Sequence, residues 1–168
     1  LLSKTIDDFR NFYQPNNNKN HFSLHTLIEQ CIKILEPNFV KPRIKVQIKS
    51  ETTSILMSFE SEILQVIINI INNAVDALED TEGEKNILIS SHEDLCHAYI
   101  EIDDNAGGIP LKSMEKIFEP YFSTKTQRNG TGLGLYMSKL IIEDHCDGEL
   151  YVINTPKGAK FTIKLPLE

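Results

Sequence analysis

The chain has 168 residues, which suits a single domain with a short additional element. Hydrophobic residues make up 40% and charged residues 24%, so the composition excludes a wholly disordered chain and a disulfide-dense miniprotein. The net charge of −7 argues against general nucleic-acid binding, because an acidic surface repels a phosphate backbone. No stretch reaches the about 18 apolar residues that cross a bilayer, so no membrane contact is expected. The three cysteines are expected to be reduced thiols of a cytoplasmic protein.

An amphipathic helix is predicted at the start of the chain, over residues 1–15. Four apolar residues recur with helical spacing and form one stripe: Leu2, Ile6, Phe9 and Tyr13. Pro15 ends this helix, residues 16–21 form a polar linker, and the main domain is expected to cover residues 22–168. Because the sequence begins without Met, we interpret it as a piece cut from a longer protein.

The main domain is predicted to alternate helices and strands. In chain order the predicted elements are a helix from a cap at Ser23 to a stop at Pro37, strands at 43–50 and 54–58, a long helix at 60–78, strands at 86–91 and 98–103 joined by a polar turn at 92–94, a short helix at 110–116, a loop at 119–130, a helix at 132–145, and a closing pair of strands at 150–153 and 160–165. This order predicts an α/β two-layer sandwich, in which one mixed sheet is covered on one face by helices.

The long helix carries a polar stripe beside its apolar one. Asn69, Asn73 and Asp76 lie at i, i+4 and i+7 and therefore share a face. Such a stripe is typical either of a solvent-facing surface or of oxygen ligands for a hard cation such as Mg²⁺. Taken alone, this helix favours the solvent-facing interpretation.

Two glycine-containing segments follow predicted strands or loops. Residues 103–109 combine carboxylates with small residues at a strand end, which suits an ordinary turn or a close approach to a ligand. Residues 130–135 open a helix after an aperiodic loop, and unpaired N–H groups at such a position suit phosphate. Lys125 and Arg128 lie just before this segment and could add positive charge. The spacing fits neither a P-loop nor a dinucleotide fingerprint.

The order of these segments resembles the ATP-binding catalytic domain of bacterial sensor histidine kinases, in the GHKL ATPase superfamily. The four segments that carry the resemblance are similar to the family's N box (65–74), first glycine box (104–109), F box (117–122) and second glycine box (130–135). Residues 3–12 resemble the end of the second helix of the family's dimerisation and phosphoacceptor hairpin. The resemblance covers about residues 22–168 and implies a Bergerat-type α/β sandwich preceded by a short helix.

The resemblance implies a Mg-ATP site with catalytic roles for Asn69 and Asn73. Asn73 would coordinate Mg²⁺, and Asn69 would set the phosphate geometry. Asp104 would accept a hydrogen bond from the adenine amine, and residues 119–131 would form a lid over the nucleotide. The other implied ATP-binding residues are Ala77, Gly108, Ile109, Phe122, Lys125, Thr131, Gly132, Leu133, Gly134 and Leu135. Ala106 departs mildly from the glycine common in the first glycine box.

The resemblance also implies a reaction. The γ-phosphoryl group would pass to a histidine on the dimerisation hairpin of this or a sister chain, and then to an aspartate of a response-regulator receiver domain. In gyrase B and the heat-shock chaperones, a glutamate at the position of Asn69 activates water for ATP hydrolysis. The amide of Asn69 is a poor base, so this sequence favours phosphoryl transfer to an acceptor over hydrolysis. Two alternatives remain open: another GHKL-type ATPase, or a kinase-inactive docking module that binds nucleotide.

None of the five histidines fits the phosphoacceptor position of the family. His92 precedes an acidic residue, as the acceptor does, but it lies in a predicted turn. We therefore expect the acceptor to lie upstream of this sequence, and the chain to bind ATP without phosphorylating itself. We also expect a monomer or a weak dimer.

Overall fold

The computed structural model describes residues 18–124 and 131–167. The predicted first helix and both candidate cations, Lys125 and Arg128, lie outside these residues. The elements are β1 (Asn20–Ser23), α1 (Leu24–Val40), β2 (Ile44–Ser50), β3 (Ile55–Ser58), α2 (Glu60–Glu79), β4 (Lys85–Glu93), β5 (His97–Asp104), α3 (Leu111–Met114), α4 (Gly134–Leu140) with a π-helical turn (Ile141–His145), β6 (Glu149–Asn154) and β7 (Ala159–Pro166).

Five of these strands form one mixed sheet in the order β2-β4-β5-β7-β6. β2 runs parallel to β4, and the remaining neighbours are antiparallel. The parallel pair requires a crossover connection, and this connection contains β3 and α2. β1 and β3 form a separate antiparallel ribbon. The architecture confirms the predicted two-layer α/β sandwich.

The alternation of burial along β5 decides where its last residue points. Ala98, Ile100 and Ile102 are buried on the helix side of the sheet, whereas Tyr99 and Glu101 lie on the opposite face. Asp104 continues the buried row and is only 7% exposed. The strand therefore ends with a carboxylate on the helix side, next to the hydrophobic core.

The helical layer packs mainly through α2. This helix contacts α1, α4 and β5. Its predicted apolar stripe is buried throughout, as Ile63, Ile67, Ile70, Ala74 and Leu78. Burying an aliphatic side chain of this size contributes about 1.5–3 kcal/mol, so this stripe anchors α2 against the sheet. The polar stripe is left on a neighbouring face of the same helix.

Two predictions in the first part of the domain were wrong. β1 lies partly within the segment predicted as a linker, where only Phe22 of its residues is buried and alternation is too short to detect. Pro37 was predicted to stop α1, yet the helix continues to Val40. Proline inside a helix removes one backbone hydrogen bond and crowds the carbonyl four residues earlier, at a cost of about 3 kcal/mol, and the burial of Phe39 offsets about 2–3 kcal/mol of this cost.

Two later boundaries also differ. His92 and Glu93 belong to β4 rather than to a turn, because the turn is fixed by Asp94, whose Oδ1 accepts hydrogen bonds from the N–H groups of Cys96 and His97. The helix predicted from residue 132 begins at Gly134, because Gly132 has a φ of +71°, outside the helical region.

Candidate functional site

One cavity collects most of the residues that the sequence motifs singled out. It has a volume of about 580 Å³ and lies between α2, the end of β5, the start of α4 and β7. The predicted residues that line it are Asn69, Asn73, Asp76, Ala77, Asp104, Gly108, Ile109, Phe122, Thr131, Gly132, Gly134 and Leu135. Leu133 is buried and does not line it, and Lys125 lies outside the described residues. A volume of this size suits a small-molecule ligand.

The asparagines of α2 differ in whether their side chains bond to other side chains. Asn69 Nδ2 donates to Ser138 Oγ on α4 at 3.1 Å, and Asn38 Nδ2 donates to Asn72 Oδ1 at 3.2 Å. Within the described part of the chain, the side-chain amide of Asn73 makes no such hydrogen bond while lining the cavity. Asn73 is therefore the amide of this helix best placed to meet a ligand.

Asp104 is held at the end of β5 by backbone groups from two directions. Its Oδ1 accepts hydrogen bonds from Ala106 N at 3.0 Å and from Ala159 N at 3.3 Å. Burial raises the pKa of this carboxyl above its ordinary value, and the two N–H groups partly counteract that rise. A buried carboxylate with one oxygen fixed in this way can accept a hydrogen bond from a ligand amine through the other.

The first glycine segment forms a turn that packs against the turn between β6 and β7. Gly107 N donates to Lys157 O at 3.0 Å. Gly108 has a φ of +87°, and a Cβ there would lie 2.9 Å from Asn154 Oδ1. Glycine is therefore required at this position for both conformation and space.

The two sides of the loop at residues 119–131 meet at its base. Tyr121 N donates to Gly132 O at 2.9 Å. A Cβ on Gly132 would lie 2.5 Å from the carbonyl carbon of Tyr121, so only glycine allows this approach. Phe122, Thr131 and Gly132 consequently reach the same cavity.

Two residues of this region were missed by sequence reasoning. Asn154 bonds to the backbone of Ile109, and a Cβ on Gly158 would lie 1.9 Å from the carbonyl oxygen of Asp104. Both residues belong to a segment that is typical of an ordinary hairpin turn. No periodicity links a side chain on one turn to a backbone 45 residues away, so the sequence carried no signal for this contact.

The charge of the cavity wall bears on what it can bind. Among the described residues that line it, the charged side chains are Asp76 and Asp104. A polyphosphate here needs a cation, and the Asn73 amide with the Asp76 carboxylate one helical turn further offers oxygen ligands of the kind that Mg²⁺ takes. The donor set therefore fits a magnesium ion that shares its remaining positions with water and ligand oxygens. Among the described residues, no group of three or more His, Cys, Asp or Glu side chains could hold a metal ion alone.

A comparison with protein families identifies this arrangement. The family model for histidine kinase-, DNA gyrase B- and HSP90-like ATPases matches residues 59–168, which include α2, the end of β5, both glycine segments and β7. The chain belongs to this ATPase family.

Within the family the similarity is to sensor histidine kinases. The signal transduction histidine-protein kinase AtoS of Escherichia coli (strain K12) is 34% identical over 99% of this chain, which spans 27% of the length of AtoS. The catalytic domain of the histidine kinase ThkA superposes with a TM-score of 0.80 at 30% identity, over 89% of this chain and 96% of that domain. ThkA in complex with the response regulator TrrA gives a TM-score of 0.78 at 25% identity, over 99% of this chain and 48% of the ThkA chain. The fold is that of a histidine kinase ATP-binding catalytic domain.

None of the helices within residues 18–124 and 131–167 combines the length and the apolar character needed to span a membrane.

Proposed function

We propose that this chain binds Mg-ATP and donates the γ-phosphoryl group to a histidine. The observation that carries the proposal is the shared cavity of Asp104 and Asn73, a buried carboxylate from the sheet and an amide of α2 that bonds to no other side chain of the described residues. One group suits an adenine amine, and the other would suit a magnesium ion that accompanies the phosphates. Membership of the ATPase family supports ATP as the ligand.

The end of the cavity beside β5 is proposed to hold adenine. Asp104 accepts a hydrogen bond from the exocyclic amine of adenine, a group that guanine lacks at that position. Gly108 and Ile109 provide a backbone edge and an apolar side chain for the base, while Ala77 and Phe122 complete the apolar surface. Selectivity for adenine then follows from the buried carboxylate, because a mismatched donor or acceptor would leave a polar group unpaired.

The end of the cavity beside α4 is proposed to hold the phosphates. Asn73 would hold Mg²⁺, and Asn69 would fix the position of the phosphates against α4. Thr131 and the backbone of residues 132–135 contact phosphate oxygens, with the segment around Leu133 contributing N–H groups rather than a side chain. Lys125 is proposed to add positive charge. When bound, the magnesium ion supplies charge neutralisation at the transferring phosphoryl group, and the residues of this chain supply its position.

The acceptor is proposed to be a histidine on a dimerisation hairpin of this or a sister chain. We assign residues 1–15 to the end of that hairpin and residues 22–168 to the catalytic domain, with β1 of that domain beginning within the connecting segment 16–21. The phosphoryl group then passes to a response-regulator receiver domain, a partner class supported by the complex of ThkA with TrrA. The reaction is placed in the cytoplasm, where ATP and such regulators meet.

Calorimetric titration of the chain with ATP tests the site. We expect micromolar binding with Mg²⁺, weaker binding without it, little binding of GTP, and loss of ATP binding in Asp104→Ala. Absence of ATP binding by the folded wild-type chain would overturn the proposal.

Phosphotransfer needs a separate assay. The chain is incubated with radiolabelled ATP and a purified kinase hairpin that carries an acceptor histidine. Acid-labile, base-stable label on the hairpin supports the kinase function. ATP binding without label on any cognate hairpin would instead favour a kinase-inactive docking module.

A further inference from the structure

The side chain of Asn154, at the turn between β6 and β7, bonds to the backbone of Ile109 beside the proposed adenine site. Ile109 N donates to Asn154 Oδ1 at 2.8 Å, and Asn154 Nδ2 donates to Ile109 O at 2.8 Å. The amide of Asn154 thus pairs with both backbone groups of Ile109, as a neighbouring strand would. It fixes the backbone where regular strand pairing has ended.

The surrounding contacts make this turn rigid. Thr155 N donates to Gly158 O at 2.8 Å, and Gly158 N donates back to Thr155 Oγ1 at 3.1 Å. Gly158 also lies directly against Asp104, where no side chain would fit. This turn is closed by its own hydrogen bonds and packs against Asp104. Through Asn154 it also holds the backbone of Ile109 in place.

The loop that receives these bonds has little structure of its own. Gly107 and Gly108 both have positive φ values, +94° and +87°, so glycine gives this segment many alternative conformations. Ile109 follows immediately and lines the cavity. Without Asn154, the distance between Ile109 and Asp104 would depend on these two glycines and on the hydrogen bond from Gly107 N to Lys157 O, two residues before Ile109.

We propose that Asn154 is a positioning residue for base recognition, which holds Gly108 and Ile109 at a fixed distance from Asp104. This inference rests on the proposed nucleotide site. Asn154 would act through Ile109 by keeping the base slot at one width before the ligand arrives. Preorganisation of this kind increases affinity because less conformational freedom is lost on binding.

The chain offers a closely matched control in Asn105. Its Oδ1 accepts from Asn86 N at 2.8 Å and its Nδ2 donates to Glu84 O at 2.8 Å, so it also pairs with backbone through both ends of its amide. It lies at the same end of the sheet, next to Asp104, but its bonds run toward β4 and it does not line the cavity. Asn105→Ala removes the same number of hydrogen bonds without releasing Ile109.

Calorimetric titrations of ADP and ATP, with and without Mg²⁺, test the proposal on the wild-type chain, Asn154→Ala and Asn105→Ala. We expect Asn154→Ala to weaken binding about five- to tenfold, as for one or two partly exposed hydrogen bonds. The same factor is expected for ADP and ATP and in both metal conditions, because the base is common to all four titrations. Asn105→Ala is expected to bind within about twofold of wild type while losing similar thermal stability.

Asn154→Asp provides a second variant of nearly the same shape. It keeps the acceptor for Ile109 N–H but places a carboxylate oxygen opposite Ile109 O in place of the donor, so its affinity should also fall below that of wild type. Equal losses in Asn154→Ala and Asn105→Ala would overturn the proposal, as would unchanged affinity in folded Asn154→Ala. A loss confined to ATP or to Mg²⁺ would overturn it as well, by placing the effect at the phosphates. Failure of the wild-type chain to bind either nucleotide would count instead against the proposed function.

Discussion

Asn69 and Gly134 lie so close that the residue on α4 has no room for a side chain. A Cβ on Gly134 would stand 2.5 Å from Asn69 Oδ1 and 3.0 Å from its Nδ2. The amide cannot simply swing away, because Nδ2 donates to Ser138 Oγ one turn further along α4. The glycine that begins α4 is therefore needed for the contact with α2.

Gly134→Ala should weaken nucleotide binding about tenfold, because the methyl group displaces Asn69 from its position against α4. Alanine has the higher helix propensity, so a purely local helical effect would stabilise the chain. Calorimetry with Mg-ATP and thermal unfolding measure both effects. Ser138→Ala removes the hydrogen bond without crowding and should cost less affinity. Wild-type affinity in Gly134→Ala would contradict the assigned contact.

Asp104→Asn should separate stability from binding. Oδ1 of the amide still accepts from Ala106 N and Ala159 N, so the amide nitrogen must face the cavity and oppose the adenine amine. ATP affinity should fall about a hundredfold, as expected when a buried donor faces a donor. Because burial raises the pKa of Asp104, ionisation disfavours the folded state at neutral pH. Removing the charge should therefore raise the unfolding midpoint.

Asp103→Asn is the control for this substitution. Asp103 precedes Asp104 on β5 and therefore faces the opposite side of the sheet, and burial raises its pKa as well. Nucleotide affinity should be unchanged in this variant. A similar loss of ATP binding in both variants would show that the effect is not specific to the carboxylate in the cavity.

Asp94 should make stability depend on pH in acid. Hydrogen bonds from Cys96 N and His97 N, and then from the Tyr99 hydroxyl, lower the pKa of Asp94 from its ordinary 3.8 to about 2. A lowered pKa means that the carboxylate stabilises the fold fully above pH 3.8 and loses this contribution as the pH falls through about 2. Urea unfolding of the wild type and Asp94→Ala between pH 2 and 6 measures the difference. The two curves should converge toward the acid end, and a constant difference would contradict this assignment.

His145 and Glu62 should be energetically coupled. His145 Nδ1 lies 2.5 Å from Glu62 Oε2, and the imidazole stacks on Phe59 with ring centroids 4.2 Å apart. His145→Ala leaves the nearly buried carboxylate of Glu62 without this partner and should cost about 1–3 kcal/mol of unfolding free energy. Glu62→Met in the same chain should recover part of that loss. Strictly additive losses in denaturant unfolding would mean that the pair is not coupled.

The elements that the sequence predicted are those with a repeated local pattern. The helical spacing of Ile63, Ile67 and Ile70 reports burial directly, and so does the alternation that ends in Asp104. That Asn73 and Asp104 share one cavity was predicted from the order of the family motifs. Motifs of one family occupy the same places in a common fold, even when they are distant in sequence.

The remaining features depend on contacts that leave no local pattern. β1 has too few residues for alternation, and it forms because Phe22 pairs with Leu56 of β3. Pro37 is tolerated inside α1 because tertiary burial of Phe39 offsets most of the local penalty. The bonds of Asn154 to Ile109 join separate turns, and only the assembled sheet brings them together.

The position of β7 in the chain has a consequence for synthesis. Ala159 and Phe161 line the cavity, and Ala159 N–H holds Asp104. A nascent chain that has not yet produced β7 already contains α2 with Asn69 and Asn73, but the cavity beside them lacks the wall that Ala159 and Phe161 form. A ligand stabilises only the state that binds it. Nucleotide therefore cannot assist the early steps of folding on the ribosome, and the sheet must close before ATP contributes to its stability.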